Sequence, residues 1–391
     1  TTFTLNSGKL IINSQKSDGA GELASNAFSS IDVDKIILQG GTVELNGTSD
    51  ANRNEQQPYL FGPWGVTVDG SDVTMKGGHI ETCTTATISS GTIHMFSTLS
   101  SEDPTDDTRP YNDYVANITT PKLGISGGTI EIGDGTTTGY QGYIRTHSSG
   151  YNVIEMTGGT IKINGGILQI LTDDAKHKFS QSAGTLTIGD NGTYQLGKGT
   201  LHEISETGKI ESTGTIELVA GTVQGVTGDQ STNNGAVLNI TAGTGHTLGT
   251  VKLAANTLLN ISGETTEVSS TKIENAANGS IINAGKLTIS SLKNEGKVTS
   301  TGELTLGSTS GGTSSTANII INDGSEGSNG DIAATSLKVI IGSTVNATTS
   351  VSVDNSGKLI VDKLNLLSTV EDSTKELGLN TKAFTYSNGT V

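Results

Sequence analysis

The chain has 391 residues, of which 16% are charged and 53 are glycine, and its formal net charge is −16. The charged fraction is below the ~25% of average soluble proteins, and the acidic balance argues against a nucleic-acid surface, which needs clustered Lys and Arg. No apolar run approaches the ~18 residues of a membrane span, so we expect no insertion of this region into a membrane.

A short phrase recurs from one end of the chain to the other. It occurs as NSGKLII at 6–12, QGGTVEL at 39–45, ISGGTIEI at 125–132, MTGGTIKI at 156–163, NAGKLTI at 283–289 and NSGKLIV at 355–361. In each copy apolar and polar residues alternate after a glycine, which is typical of a turn followed by a strand with one buried face. In ISGGTIEI this pattern predicts that Ile130 and Ile132 point inward and that Glu131 points outward.

The spacing of the phrase indicates how the strands stack. Taken three at a time, the offsets between the glycine-led strands of residues 184–223 are 24, 22 and 22 residues, with starts at Gly184, Gly192, Gly199, Gly208, Gly214 and Gly221. We predict an all-β fold, a right-handed parallel β-helix with about three short strands per coil of ~22 residues, over residues 1–367. A sandwich of antiparallel hairpins is the alternative, favoured by Asn-Gly turns such as Asn191-Gly192.

Three predicted insertions, at about 48–65, 97–121 and 134–152, interrupt the coils in the N-terminal third. Solenoids often gather insertions on one face, and that face often binds the partner. The first insertion sets Tyr59, Phe61 and Trp64 among prolines and glycines, as a candidate stacking platform for sugar rings or for apolar groups of a partner. The alternative is an aromatic cluster that covers one end of the solenoid.

The second insertion is acidic. Asp103, Asp106 and Asp107 are candidate ligands for Ca²⁺, the one cofactor that the sequence suggests, and a solvated acidic loop is the alternative. Tyr111 and Tyr114 beside them are candidate binding residues.

The third insertion gathers aromatic and basic residues. Its candidate binding residues are Tyr140, Tyr143, Arg145 and His147. Together with Asp106 and Asp107, Arg145 also suggests a polysaccharide-cleaving site, because such chemistry uses paired carboxylates or an arginine base. Three further histidines, His79, His94 and His202, lie within strand-like runs, and we expect their rings to face outward.

Residues 368–391 differ from the repeat and read as a short helix followed by a strand, which predicts a C-terminal cap or connector. Phe384 and Tyr386 lie in that strand pattern and are candidate assembly residues. A strand edge left open there would favour homotypic head-to-tail assembly into filaments.

The glycine-led GTL-x-I and SGGT-I-x-I phrases, with abundant Thr, Ser, Asn and Gly and one cysteine, Cys83, resemble the passenger regions of bacterial autotransporters and related large surface adhesins. The resemblance covers most of residues 1–366. It implies a secreted, right-handed β-helix displayed on the bacterial cell surface, in a family of which many members are adhesins. No catalytic residue carries over from it.

These observations predict an extracellular, non-catalytic structural or adhesive protein, a rigid β-solenoid that displays binding loops. Its expected partners are host or environmental glycans or surface proteins. A self-assembling filament or surface-layer subunit is the second hypothesis, and a polysaccharide lyase or glycosidase is the third.

Overall fold

A computed structural model gives the fold of residues 1–13, 15–16, 30–47, 55–56, 58–97, 116–136, 140–146, 153–172, 177–197, 200–219, 235–307, 319–320, 331–341, 352–368 and 378–386. All of the regular secondary structure within these ranges is β-strand, and almost all strand pairs are parallel. The predicted all-β fold of parallel strands is therefore confirmed. Within the same ranges, no helix is long and apolar enough to cross a membrane.

The strands are short in most of the chain and longer where one strand serves more than one column. In chain order they are β1 (Thr2–Leu5), β2 (Lys9–Asn13), β3 (Gln15–Lys16), β4 (Ser30–Asp32), β5 (Lys35–Leu38), β6 (Thr42–Asn46), β7 (Glu55–Gln56), β8 (Tyr59–Phe61), β9 (Val66–Met75), β10 (His79–Glu81), β11 (Thr85–Met95), β12 (Ala116–Thr119), β13 (Lys122–Ile125), β14 (Thr129–Ile132), β15 (Gln141–Thr146), β16 (Val153–Thr172), β17 (His177–Leu196), β18 (Thr200–Ile204), β19 (Lys209–Leu218), β20 (Val237–Ile240), β21 (His246–Leu253), β22 (Leu258–Ile261), β23 (Glu267–Asn275), β24 (Ser280–Asn283), β25 (Lys286–Asn294), β26 (Lys297–Gly307), β27 (Ile319–Ile320), β28 (Asp331–Ile341), β29 (Ser352–Ser368) and β30 (Gly378–Tyr386).

The chain divides into two compact units, unit 1 (Thr1–Gln195) and unit 2 (Leu196–Val391). In unit 1 the chain visits three columns of parallel strands in turn. Column A joins β1, β5, β9, β11, β13 and β16. Column B joins β2, β6, the ends of β9 and β11, β14 and the middle of β16. Column C joins β4, β8, β10, β12, β15 and the end of β16. One short antiparallel pair, β3 with β7, accompanies them.

The core of unit 1 is built from the alternating apolar residues of these columns. Ile130 and Ile132 are fully buried and Glu131 lies on the outer side, as the alternation predicts. In column C the inward positions in register are Ile31, Leu60, Ile80, Ile118, Ile144 and Ile170, and the last five are at most 2% exposed. Each such side chain contributes about 1.5–3 kcal/mol by burial.

In unit 1 the glycines of the repeated phrase lie in the turn between columns A and B. Gly91 and Gly128 are stacked there with φ of +83° and +68°, in the left-handed region that favours glycine. A Cβ on Gly128 would lie 2.8 Å from the carbonyl oxygen of Gly91 in the adjacent coil. Glycine therefore recurs at this turn of unit 1 because it accepts both the left-handed backbone and the close approach of the adjacent coil.

Unit 2 also has three columns. Column D joins β18, β20, β22, β24, β26 and β28. Column E joins the first halves of β19, β21, β23 and β25 and the second halves of β26 and β28. Column F joins the second halves of β19, β21, β23 and β25. Along column D, Val237 pairs with Leu258, Leu258 with Ser280 and Ser280 with Lys297, which are steps of 21, 22 and 17 residues.

The core of unit 2 contains polar as well as aliphatic side chains. Buried Asn275 donates from Nδ2 to Oδ1 of Asn294 at 2.7 Å, and buried Asn283 donates to Oγ of Ser300 at 2.9 Å, so these amides pair between adjacent coils. His202 is fully buried as well. The prediction of an outward ring is therefore wrong for His202, because its register with buried Leu238 aims it into the core.

Candidate functional site

Strand β8 carries two of the three aromatic residues predicted in the first insertion. Because Leu60 between them is fully buried, Tyr59 and Phe61 point away from the core. Their rings stack with centroids 5.6 Å apart and an interplanar angle of 21°. The ring of His79 meets Tyr59 edge-on at 5.8 Å.

The hydroxyl of Tyr59 is held by a carboxylate. It donates to Oε2 of Glu81 at 2.6 Å, across the β8–β10 pair. Burial raises the pKa of Tyr59 well above its ordinary value, and the hydrogen bond to Glu81 raises it further. Tyr59 is therefore a fixed, neutral ring with its polar end already satisfied, which suits stacking better than acid–base chemistry.

Trp64 follows β8 in a tight turn. The amide of Gly65 donates to the carbonyl of Gly62 at 2.8 Å, and the amide of Trp64 donates to the carbonyl of Asp34 in the preceding coil at 2.7 Å. The side chain of Trp64 is 72% exposed. Because the backbone of this turn is already fixed, binding would order only the exposed ring. We refer to Tyr59, Phe61 and Trp64 as the β8 aromatic surface.

Of the residues predicted in the third insertion, Tyr140 and Tyr143 have described side chains. Tyr143 is 5% exposed, and its backbone is in register with Asn117 of column C. Arg145 is in register with Thr119, but its side chain lies outside the described part of the structure, as does His147 altogether. Tyr140 instead joins residues of column B.

These column B residues form a second cluster, which we name the Glu131 cluster: His94, Phe96, Glu131, Asp134, Tyr140, Lys162 and Asn164. The side chains of His94, Glu131 and Lys162 share one row of three adjacent coils. Oε2 of Glu131 lies 2.8 Å from Nδ1 of His94, and Oε1 lies 3.3 Å from Nζ of Lys162 and accepts a hydrogen bond from Asn164. The Glu131–His94 contact is close, but Nδ1 of His94 has no hydrogen-bond geometry there.

Two aromatic rings extend the Glu131 cluster from His94. Phe96 lies 5.3 Å from the ring of His94 and 5.6 Å from the ring of Tyr140, and the Tyr140 hydroxyl donates to Oδ2 of Asp134 at 3.2 Å. Sequence reasoning missed this cluster, although a signal was present. The phrases GTIHM, GTIEI and GTIKI place His94, Glu131 and Lys162 at the same position.

Several predicted residues lie outside the described residues. They are Asp103, Asp106, Asp107, Tyr111 and Tyr114. The calcium and polysaccharide-cleavage hypotheses that depend on them stay predictions. Where the structure describes the chain, no group of three or more His, Cys, Asp or Glu residues is arranged to hold a metal ion.

The predicted assembly residues lie on β30. Phe384 is in register with Leu359 of β29, and Tyr386 with Val361, but the side chains of both strands lie outside the described part. The predicted helix of the C-terminal segment falls largely on residues 369–377, which also lie outside it.

Comparison with known proteins identifies no relative: no family model matches the chain, and neither a curated protein nor a solved structure does.

Proposed function

We propose that this chain is a non-catalytic structural and adhesive protein of a bacterial cell surface, built as a right-handed parallel β-helix with three strands per coil. The three columns of parallel strands in each unit support the architecture. The column D steps of 21, 22 and 17 residues support a basic coil of ~22 residues. The step of 37 residues from Thr85 to Lys122 in column A fits the same coil with an insertion.

The observation that carries the adhesive function is the β8 aromatic surface. An indole that is 72% exposed follows a stacked tyrosine–phenylalanine pair by three residues, and exposed aromatic rings of this kind are typical of binding hot spots. The flat faces of these rings suit the apolar faces of sugar rings. We therefore propose a glycan as the partner, with a surface protein as the alternative.

The test uses the fluorescence of Trp64, the single tryptophan of the chain. We expect glycans that bind on a microarray of bacterial, plant and animal polysaccharides to shift the Trp64 emission to shorter wavelengths, because the indole leaves water. We expect Tyr59→Ala/Phe61→Ala to weaken glycan binding by about tenfold or more, as for central aromatic contacts. Ile282→Ala, which removes an exposed apolar residue of unit 2, should bind like the wild type.

Binding that is unchanged in the Tyr59→Ala/Phe61→Ala variant and in Trp64→Ala would reject this surface as the glycan site. Negative-stain electron microscopy over a range of protein concentrations tests the filament hypothesis at the same time. Concentration-dependent filaments would favour a self-assembling subunit, and isolated particles that bind glycan would favour the adhesive function.

A further inference from the structure

Two histidines of unit 2 occupy positions that neighbouring coils fill with aliphatic residues. His202 is fully buried in column D, where the residues next in register are Leu238, Leu259 and Ile281. His246 is 1% exposed in column E, between Ile210 on one side and Val268 on the other. Each imidazole thus lies within an aliphatic stack, on adjacent coils of the same unit.

The hydrogen bonds of His246 fit only the neutral ring. Its Nδ1 accepts from the amide of Ile210 at 3.4 Å, and its Nε2 donates to the carbonyl of Ala242 at 2.9 Å. A second proton on Nδ1 would point at the Ile210 N–H, so two donors would face each other. The ring of His246 packs closely against Gly243, since a Cβ added to Gly243 would lie 2.6 Å from Nε2.

The surroundings of both rings disfavour a positive charge. Burial lowers the pKa of His202 from 6.5 to about 3. Burial also lowers the pKa of His246; the hydrogen bond to Ala242 opposes this shift, and the charge of Lys209 reinforces it.

The charged groups described on the strands that carry or adjoin the two rings are paired or face outward. Lys209 pairs with Glu211 at 2.6 Å. On the next coil, Glu267 beside Val268 pairs with Lys286 at 2.9 Å. Glu203, next to His202, lies on the outer side of β18. None of these carboxylates lies in the core, where it could stabilise a charged imidazole.

We propose that His202 and His246 make β18, β19, β20 and β21 an acid-sensitive segment of unit 2, closed at neutral pH and opened by acidification. Because both pKa values are lowered in the folded state, the closed segment has its full stability above about pH 6.5 and loses stability as the pH falls towards the folded values. For each histidine that stays neutral in the closed state, the equilibrium constant for opening should rise about 100-fold as the pH falls from about 7.5 to about 4.5.

Hydrogen exchange of the full chain, read by mass spectrometry and corrected for the intrinsic rate at each pH, tests this proposal. We expect protection in peptides from β18, β19 and β21 to fall by about 100-fold or more from about pH 7.5 to about pH 4.5. Peptides from β25, which contains no histidine, are the internal reference and should lose less.

The matched variant is His202→Gln/His246→Gln. Glutamine offers a donor and an acceptor as the neutral ring does, but it does not gain a charge in this pH range. We expect the excess pH dependence of β18, β19 and β21 over β25 to disappear in this variant. An unchanged excess in the variant, or full protection of the wild type at about pH 4.5, would overturn the proposal.

A titration of the histidine ring protons by NMR covers the case in which the variant does not fold. The wild-type chain has six histidines. Two resonances that do not shift between about pH 7.5 and the onset of opening would support the proposal. Six resonances that all titrate near the ordinary histidine pKa would overturn it.

Discussion

Replacing Gly128 by alanine tests the explanation of the repeated phrase. Gly128 has φ +68°, and a Cβ there would lie 2.8 Å from the oxygen of Gly91 and 3.1 Å from Cγ2 of Ile88. The left-handed conformation costs alanine roughly 1–2 kcal/mol, and relief of the overlap costs roughly 1–3 kcal/mol more. We therefore expect Gly128→Ala to lower the free energy of unfolding by about 2–5 kcal/mol.

Gly124→Ala, four residues earlier, is the matched control. Gly124 lies outside the left-handed region, and the nearest atom to an added Cβ is the oxygen of Ala86 at 4.0 Å. Alanine there should leave stability unchanged or raise it by about 0.4–1 kcal/mol, because it restricts the unfolded chain. Both variants are compared with the wild type by guanidinium unfolding, followed by far-ultraviolet circular dichroism.

Hydrogen exchange shows which backbone amides the Gly128→Ala substitution destabilises. The amide of Ser126 donates to the carbonyl of Ile88 at 3.0 Å, and the amide of Thr160 donates to the carbonyl of Gly128 at 2.9 Å. Both amides should lose protection in Gly128→Ala and keep it in Gly124→Ala. Equal losses of stability in the two variants, or none in Gly128→Ala, would refute the steric explanation of the glycine turn.

Three further predictions concern side chains that join adjacent coils. Asn294→Ala should cost about 1–3 kcal/mol in urea unfolding, because it leaves the buried amide of Asn275 with only its long 3.5 Å hydrogen bond to the carbonyl of Lys297. Asn260→Ala on the outer face should cost under about 0.5 kcal/mol, and equal costs would contradict this prediction. Glu131→Ala should lower the melting temperature more than Glu155→Ala, because Glu131 contacts three side chains and Glu155 pairs with Lys122 at the surface. The reverse order would count against a stabilising role of the Glu131 cluster. Lys252→Met should cost at most about 1 kcal/mol at low salt and almost nothing at about 1 M salt, because its 2.9 Å pair with Glu217 is exposed; a loss that persists at high salt would indicate packing instead.

The Glu131 cluster contains contacts that the local sequence pattern does not predict. The alternation in GTIHM, GTIEI and GTIKI predicts that His94, Glu131 and Lys162 face away from the core. It does not predict that they meet, because the steps between paired strands vary, from 17 residues between Ser280 and Lys297 to 38 between His79 and Asn117. Only the register of column B brings the carboxylate, the imidazole and the ammonium together.

The orientation of His202 has a similar cause. In the strand TLHEI, Leu201 belongs to one alternating set, and His202 and Ile204 belong to the other. Either set has an apolar member, so the pattern alone does not decide which one is buried. Pairing with β20 aligns His202 with Leu238 and Ile204 with Ile240, and these partners put the imidazole in the core.

The sequence by itself determined the strands, their glycine turns and their parallel stacking, because alternation recurs along the chain and a left-handed glycine recurs in the copies of the phrase in unit 1. It also brought Tyr59 and Phe61 to one face, since residues two apart on a strand point the same way. Tertiary structure alone decided which coils are neighbours, and therefore which charged, aromatic and imidazole groups meet. Paired residues of adjacent coils lie 17 to 38 positions apart, and insertions of different lengths change that spacing from one coil to the next.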